Sequence, residues 1–442
     1  MSVRVGIAEV DWTPPAGLPL MGNVRTDYAA KGVHDPLRAK AAVFHDARGR
    51  KLALLSVDVC MLHRRQVALM RDYIAGRCNL RPQEVLIAAT HIHSGPATVS
   101  LYGMPKADDE QIERFLRTAC EAVVLADRDV QPASLRVGLG RQERLSFCRR
   151  LHCKDGVVHM NWEDLPPDFV EGPAGPIDPQ VGVLVIERDA KPRAVIVNFA
   201  LHPAILDYEN QLYSAGYPGC LAEAMSRRIP GEFTTLFFNG CCGDLNHINH
   251  ADPFVPRRGY AAARRTGYML ADVVKDAMDA AKPAPADMIA VCRKSVTLKR
   301  FRISEEQHRW AQGVLDGSHS AAPAEEDGLP EAYRAATWVA MYEAQGSDDH
   351  AEVMAARIGE IGVVGLPGEV FCELGLEIKV AFPARHTFVF ELANDAIGYL
   401  PMAAAFNAGG YETTPGATLY DRNAGQALAA SARRQLEELF RQ

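Results

Sequence analysis

Residues 89–96 read Ala-Thr-His-Ile-His-Ser-Gly-Pro, placing two histidines at alternate positions directly after the apolar run 84–90. On an extended strand, side chains at i and i+2 point the same way, so the spacing predicts that His91 and His93 share one face at a strand end. Imidazoles so placed can seed a metal site, although an H-x-H pair alone is also found as packed, hydrogen-bonded histidines. A second apolar run, residues 194–202, ends on His202. Glu369 follows Pro367-Gly368 between a strand-like and a helix-like stretch, where a helix amino terminus favours an ionised carboxylate. Two histidines and one carboxylate with a position left for water form the ligand set of a catalytic zinc site. Tyr399 and Tyr411 lie in the loop after the last strand-like run, within reach of the same strand ends.

The elements that must carry these residues read as α/β material. Residues 40–46 and 51–62 are strand-like, and 63–78 and 109–129 are helical, with apolar residues at three and four spacing. Short strands are expected around 133–142, a loop-rich passage over 151–179, and strands over 181–187 and 194–202. Helices are expected over 218–228 and 261–280, and a charged, Ala-rich, helix-prone segment over 304–356. That segment reads either as a lid or insertion or as a solvated helical layer over a sheet. Strand, turn and helix follow over 356–379, then a strand and a long loop over 387–412.

Composition sets limits on function. The 442 residues carry 48 basic and 55 acidic side chains, a net charge of −7, with no basic run of the kind that tracks phosphates, which argues against a nucleic-acid partner. The amino terminus shows neither a signal peptide nor a membrane span, so a cytoplasmic protein without stable membrane association is expected. The ten cysteines do not form the paired knots of structural zinc and are read as reduced, mostly buried thiols.

Seven stretches resemble the neutral/alkaline ceramidase family in its amino-terminal catalytic domain: residues 6–15, 32–44, 89–96, 199–206, 239–246, 366–375 and 394–412. The resemblance runs from near residue 4 to the end. It implies an α/β, mixed-sheet layered catalytic domain spanning 1–442, with the 304–356 segment inside it and no carboxy-terminal immunoglobulin-like domain. It also implies one zinc ion per chain held by His91, His202, Glu369 and Tyr399, with His93 beside the water and Tyr411 as an oxyanion donor. Two readings stand for His93, a proton acceptor or a further ligand or orienter.

Departures from the family pattern matter too. Asn246 stands where ceramidases continue their glycine-aspartate turn with a serine, and His202-Pro203-Ala204 replaces the family's His-Gly-Thr. The resemblance therefore implies a zinc hydrolase cleaving an N-acyl amide of a small soluble substrate by metal-activated water. The alternatives are an esterase, a true ceramidase, or a non-catalytic binding relic of the fold. Asn246, His247, Arg149 and Asp58 are the candidate substrate contacts, Arg149 and Asp58 standing equally well as structural residues. His247 and His250 read as a substrate-contacting loop, with a second metal site as the other reading. The expected partner is a small molecule, and self-association into a homo-oligomer is left open.

Overall fold

A computed structural model describes residues 3–101, 103–252, 254–320, 330–382 and 386–441. Three mixed sheets supply its framework. The first orders its strands Val85–Ala89, Lys51–Val57, Arg38–His45, Arg4–Asp11 and Gln131–Pro132. The second runs Thr234–Asn239, Lys191–Phe199, Gln180–Arg188, Ser134–Arg141 and Lys282–Pro283. The third runs Ile289–Lys299, Asp348–Ile358, Ile361–Gly365 and His386–Phe390.

Each sheet repeats one plan. An antiparallel hairpin is followed by a helix and then by a strand parallel to the second hairpin strand. Lys51–Val57 crosses over through helix Arg64–Ala75 to Val85–Ala89. Lys191–Phe199 crosses through Gly216–Arg228 to Thr234–Asn239. Ile361–Gly365 crosses through Cys372–Val380 to His386–Phe390. The plan follows from the sequence: tight turns such as Asp189-Ala190, both at positive φ, close the hairpins, whereas parallel strands need a helical crossover.

The inner faces meet in one core containing Phe44, Leu86, Ile196, Phe238, Val363 and Phe390. Each outer face is covered by helices, with Asp109–Arg128, Gly259–Asp279 and Ala424–Arg441 completing the three layers. These near-continuous apolar strands are those of sheets buried on both faces. The parallel pairs leave their carboxyl ends together, the position at which α/β folds build ligand sites.

The structure revises three sequence expectations. The passage 151–179 is not simply loop: Arg150–Cys153, Val158–Met160 and Val170–Pro173 form a small antiparallel sheet. Among its described residues, the segment 304–356 is helical over Glu305–Asp316 and Glu331–Ala344, and its end is strand Asp348–Ile358, because cross-strand pairing to Ile289–Lys299 overrides local propensity. The two helices pack on each other through Ala311, Val314 and Ala335, a small cluster separate from the main core. Finally, strand Val85–Ala89 stops before the histidine pair. All ten cysteines are free thiols, most of them buried, and among the described residues no helix is long and apolar enough to cross a membrane.

Candidate metal centre and active site

His91 has φ +68°, a left-handed conformation that costs a non-glycine residue roughly 1–2 kcal/mol. Strand alternation therefore does not bring the two imidazoles together; the turn does. It is held by Thr90 N–H donating to Val57 O at 2.9 Å and His91 N–H donating to Val59 O at 2.9 Å. His91 Nδ1–H donates to the Cys60 carbonyl at 2.8 Å, which orients the ring with Nε2 facing inward.

His91 Nε2 lies 3.1 Å from His202 Nε2 and 3.3 Å from Glu369 Oε2, and His202 Nε2 lies 3.1 Å from His93 Nε2. Ligands about 2.0–2.1 Å from a tetrahedral zinc stand about 3.3 Å apart, so these spacings fit such an ion. One ligand atom each from His91, His202 and Glu369, all three buried, lie within 4.8 Å of one another, a donor set suited to a divalent cation. A second grouping, Cys60 with His91 and His93, also lies within ligand distance, but it overlaps the first. The hydrogen bond of His91 Nδ1 to the Cys60 carbonyl favours the Nε2 grouping.

Electrostatics agree. Burial and the charge of His91 push His93 and His202 well below the ordinary histidine range, which keeps both as neutral donors. Burial opposes the ionisation of Glu369, yet His91 and the Tyr399 hydroxyl outweigh it and hold the carboxyl below its usual value. The cause differs from the helix amino terminus expected from sequence. That end is occupied by Asp244, whose Oδ1 accepts from Cys372 N–H at 2.7 Å.

Tyr399 reaches Glu369 through register: Glu369–Val370 and Tyr399–Leu400 form a short parallel ladder in which Glu369 faces Tyr399. Tyr411 packs edge-on against Tyr399, ring centroids 5.4 Å apart. The Arg149 guanidinium sits over Tyr399 at 5.1 Å. Arg149 Nε and Arg150 Nη1 donate to the two oxygens of Glu412, at 2.7 and 2.6 Å, and Glu412 is 0% exposed. This buried cluster locks the turn that presents Tyr411.

A cavity of about 900 Å³ opens on the centre. His91, His93, His202, Glu369, Tyr399, Tyr411, Arg149, Asn246 and His247 all line it. One side is closed by Ala336, Thr337 and Ala340 of helix Glu331–Ala344, the segment read as a lid or helical layer. Asp58 is placed elsewhere. It lies buried just past the carboxyl end of strand Lys51–Val57, accepting from Arg38 N–H at 2.9 Å and the Thr90 hydroxyl at 3.2 Å, and is not among the cavity residues. A carboxylate buried to serve a strand junction resembles a binding carboxylate in sequence, and burial pushes its pKa up to about 6. His247 donates from Nε2 to the Arg257 carbonyl at 2.5 Å, and burial lowers its pKa to about 4. Neither His247 nor His250 belongs to a metal-binding group among the described residues, which counts against the second metal site.

Asn246 is held by a reciprocal pair of hydrogen bonds with Asn161, at 2.7 and 2.8 Å, so its carboxamide is an oriented wall group. Several positioning residues carry little sequence signal. Gly22 has φ +103°, and a Cβ there would lie 2.4 Å from His93 Cγ, so only glycine lets that loop press on the imidazole. Gly243 backs Glu369 in the same way, its absent Cβ 2.5 Å from the Glu369 carbonyl. Glu391 accepts from Val370 N–H at 3.1 Å and Cys242 N–H at 3.0 Å, tying together two strand-end loops. Gly243 lies in the glycine-aspartate turn and Glu412 in the closing Tyr-Glu pair noted from sequence, whereas Gly22 and Glu391 were not singled out.

The frame is mixed α/β, with a histidine-carboxylate cluster at its strand ends. Residues 3–252 match the description "Neutral/alkaline non-lysosomal ceramidase, N-terminal", and the chain belongs to that family. It is 28% identical over 244 residues to neutral ceramidase B of Dictyostelium discoideum, covering 53% of this chain and 33% of that protein. It is 26% identical over 289 residues to neutral ceramidase of Mycobacterium tuberculosis, covering 60% of this chain and 44% of that one. The matched region is thus a third to under a half of each relative's length. The crystal structure of neutral ceramidase from Pseudomonas aeruginosa shares the fold, with a TM-score of 0.76 at 19% identity, covering 98% of this chain and 74% of that one.

Proposed function

We propose that the protein is a zinc-dependent hydrolase of the amide bond in a small N-acyl compound. The observation that carries this reading is the convergence of His91, His202 and Glu369 at 3.1 and 3.3 Å on the floor of a large cavity. The family's ceramidases cleave an amide by name, and Asn246, lacking a hydroxyl, leaves water as the nucleophile.

His91, His202 and Glu369 would hold the ion, with Tyr399 hydrogen-bonded to Glu369 at its edge. Bound zinc supplies Lewis acidity toward a carbonyl oxygen and lowers the pKa of water. The chain's own residues do the rest. His93, kept neutral by burial and by its neighbours, can accept a proton at Nε2 and return it to the leaving nitrogen. Its Nδ1 faces Asn23 Oδ1 at 3.5 Å, a contact able to orient the ring. Tyr411 offers a phenol to the developing oxyanion, and Arg149 with Glu412 fixes its approach. Met61, Leu101, Met104, Ala340 and Leu419 give the acyl chain an apolar wall. Helix Glu331–Ala344 covers one side of this cavity through Ala336, Thr337 and Ala340.

The test is hydrolysis of a panel of soluble N-acyl amides, the matching esters and long-chain ceramide in detergent micelles, before and after chelation and zinc addition. Zinc-restored cleavage of soluble amides is expected. Cleavage of ceramide with the soluble panel untouched would identify a true ceramidase, and cleavage of esters alone an esterase.

A further inference from the structure

We propose that the cavity end formed by His247 and Arg257 is a subsite for an oxyanion, and that it selects N-acyl amino acids through the carboxylate of their amine half. The substrate class rests on the amide-hydrolase reading above; the subsite itself does not.

The argument begins with charge. The chain carries a net charge of −7, yet its cavity wall presents Arg149, Arg257 and Arg258 against the carboxylates of Asp207 and Glu369. Glu369 is committed to the histidine cluster, and Arg149 is paired with Glu412 at 2.7 Å. Asp207 is paired with Arg258, Oδ2 to Nε at 3.3 Å. Arg257 is left over. Among the described residues it has no carboxylate partner, and its Nε is buried without a hydrogen bond. Arg257 is half-buried, and a buried donor such as its Nε is costly to leave unsatisfied, while the guanidinium fork matches a carboxylate.

The neighbouring groups support the same occupant. His247 Nε2–H donates to the Arg257 carbonyl, which anchors the arginine's backbone. His247 Nδ1 is thereby an acceptor, buried and unpartnered, and can take the N–H of an amide. Arg149 Nη2, on a side chain 5% exposed, is a further buried donor without a partner on the same cavity. His247 also lies close enough to His93 for a charge on one to weigh on the other, which places this polar end beside the reacting centre. The acyl chain then lies on the apolar wall, the scissile carbonyl at the centre and the carboxylate on Arg257. Hydrolysis adds one water: its oxygen bonds to the acyl carbon, the C–N bond breaks and the nitrogen departs with a proton. The products are a carboxylic acid and a free amino acid.

Binding and turnover test the two parts separately. Hexyloxyacetate and hexyloxyacetamide carry an ether in place of the N-acyl amide and end in a carboxylate or a neutral carboxamide of the same shape, and calorimetry on the purified protein reads their affinities. The carboxylate should bind about 10-fold to 100-fold more tightly, the range of a hydrogen bond to a charged group. In R257Q that ratio should collapse toward one. Equal affinities in the unmodified protein overturn the subsite. So does a carboxylate preference that survives in R257Q, the result expected if a bound metal alone captures the carboxylate. If R257Q does not fold, R257K carries the test: losing the planar fork should lower the ratio several-fold, and an unchanged ratio overturns the proposal. N-hexanoylglycine should also be hydrolysed faster than N-hexanoylglycinamide. A binding preference with neither compound hydrolysed leaves the subsite standing and removes the amidase reading.

Discussion

Glu412 is the residue on which the oxyanion side of the site most depends, although it touches no metal ligand. It is fully buried and accepts from Arg149 at 2.7 Å and Arg150 at 2.6 Å. Glu412→Gln keeps the shape and removes the charge, leaving two guanidiniums that are 5% and 3% exposed facing a neutral amide. Breaking a buried ion pair by removing one partner costs roughly 3–5 kcal/mol. With an unfolding entropy of about 2.1 cal/mol/K per residue, 442 residues give about 0.9 kcal/mol/K, so the melting temperature should fall by about 3–5 °C. Turnover should fall as well, because Arg149 no longer fixes the turn that carries Tyr411. Differential scanning calorimetry with kinetics on the best amide substrate reads both. Arg150→Met in the E412Q background removes one orphaned charge and should recover part of the lost stability, a coupling that a double-mutant cycle isolates. An unchanged melting temperature and turnover in E412Q would refute the reasoning, because the cluster would then be ornamental.

Tyr411→Phe should retain its metal and slow turnover by on the order of a hundredfold, the usual cost of one oxyanion donor; unchanged turnover would reduce Tyr411 to packing. Asp58 gives a pH prediction. Its folded pKa, pushed up by burial to about 6 from 3.8, means that the folded state binds the proton more tightly. Asp58 therefore costs stability progressively as pH rises from about 4 to 6, by roughly 3 kcal/mol once both states are ionised. Asp58→Asn should melt higher than the parent at pH 8 and show a smaller gain, or none, at pH 4; a gain independent of pH would contradict this.

The parts of the fold carried by long apolar runs were legible, because burial on both faces leaves a strand few polar positions. The site was legible where chemistry is concentrated in a motif: His91, His202 and Glu369 each close an apolar run, and their ordered motifs carried the family resemblance. What stayed hidden depends on contacts between distant segments. The left-handed turn at His91 is set by the Val57–Cys60 backbone, and the register of Glu369 with Tyr399 by a ladder of two residue pairs. Asp58 looked like a wall carboxylate because sequence does not reveal which strand junction needs an acceptor. The strand Asp348–Ile358 was masked by the helical propensity of the segment before it. The threefold hairpin-helix-strand plan left no repeat in the residues themselves, since each sheet fills its share of the core with different apolar side chains.

The central claim is that His91, His202 and Glu369 form a metal centre, and metal content measured by plasma mass spectrometry tests it most directly. The purified protein should hold about one zinc per chain, and H91A and E369A, still folded by circular dichroism, should lose most of it together with activity. Full zinc retention in both folded variants would contradict the account.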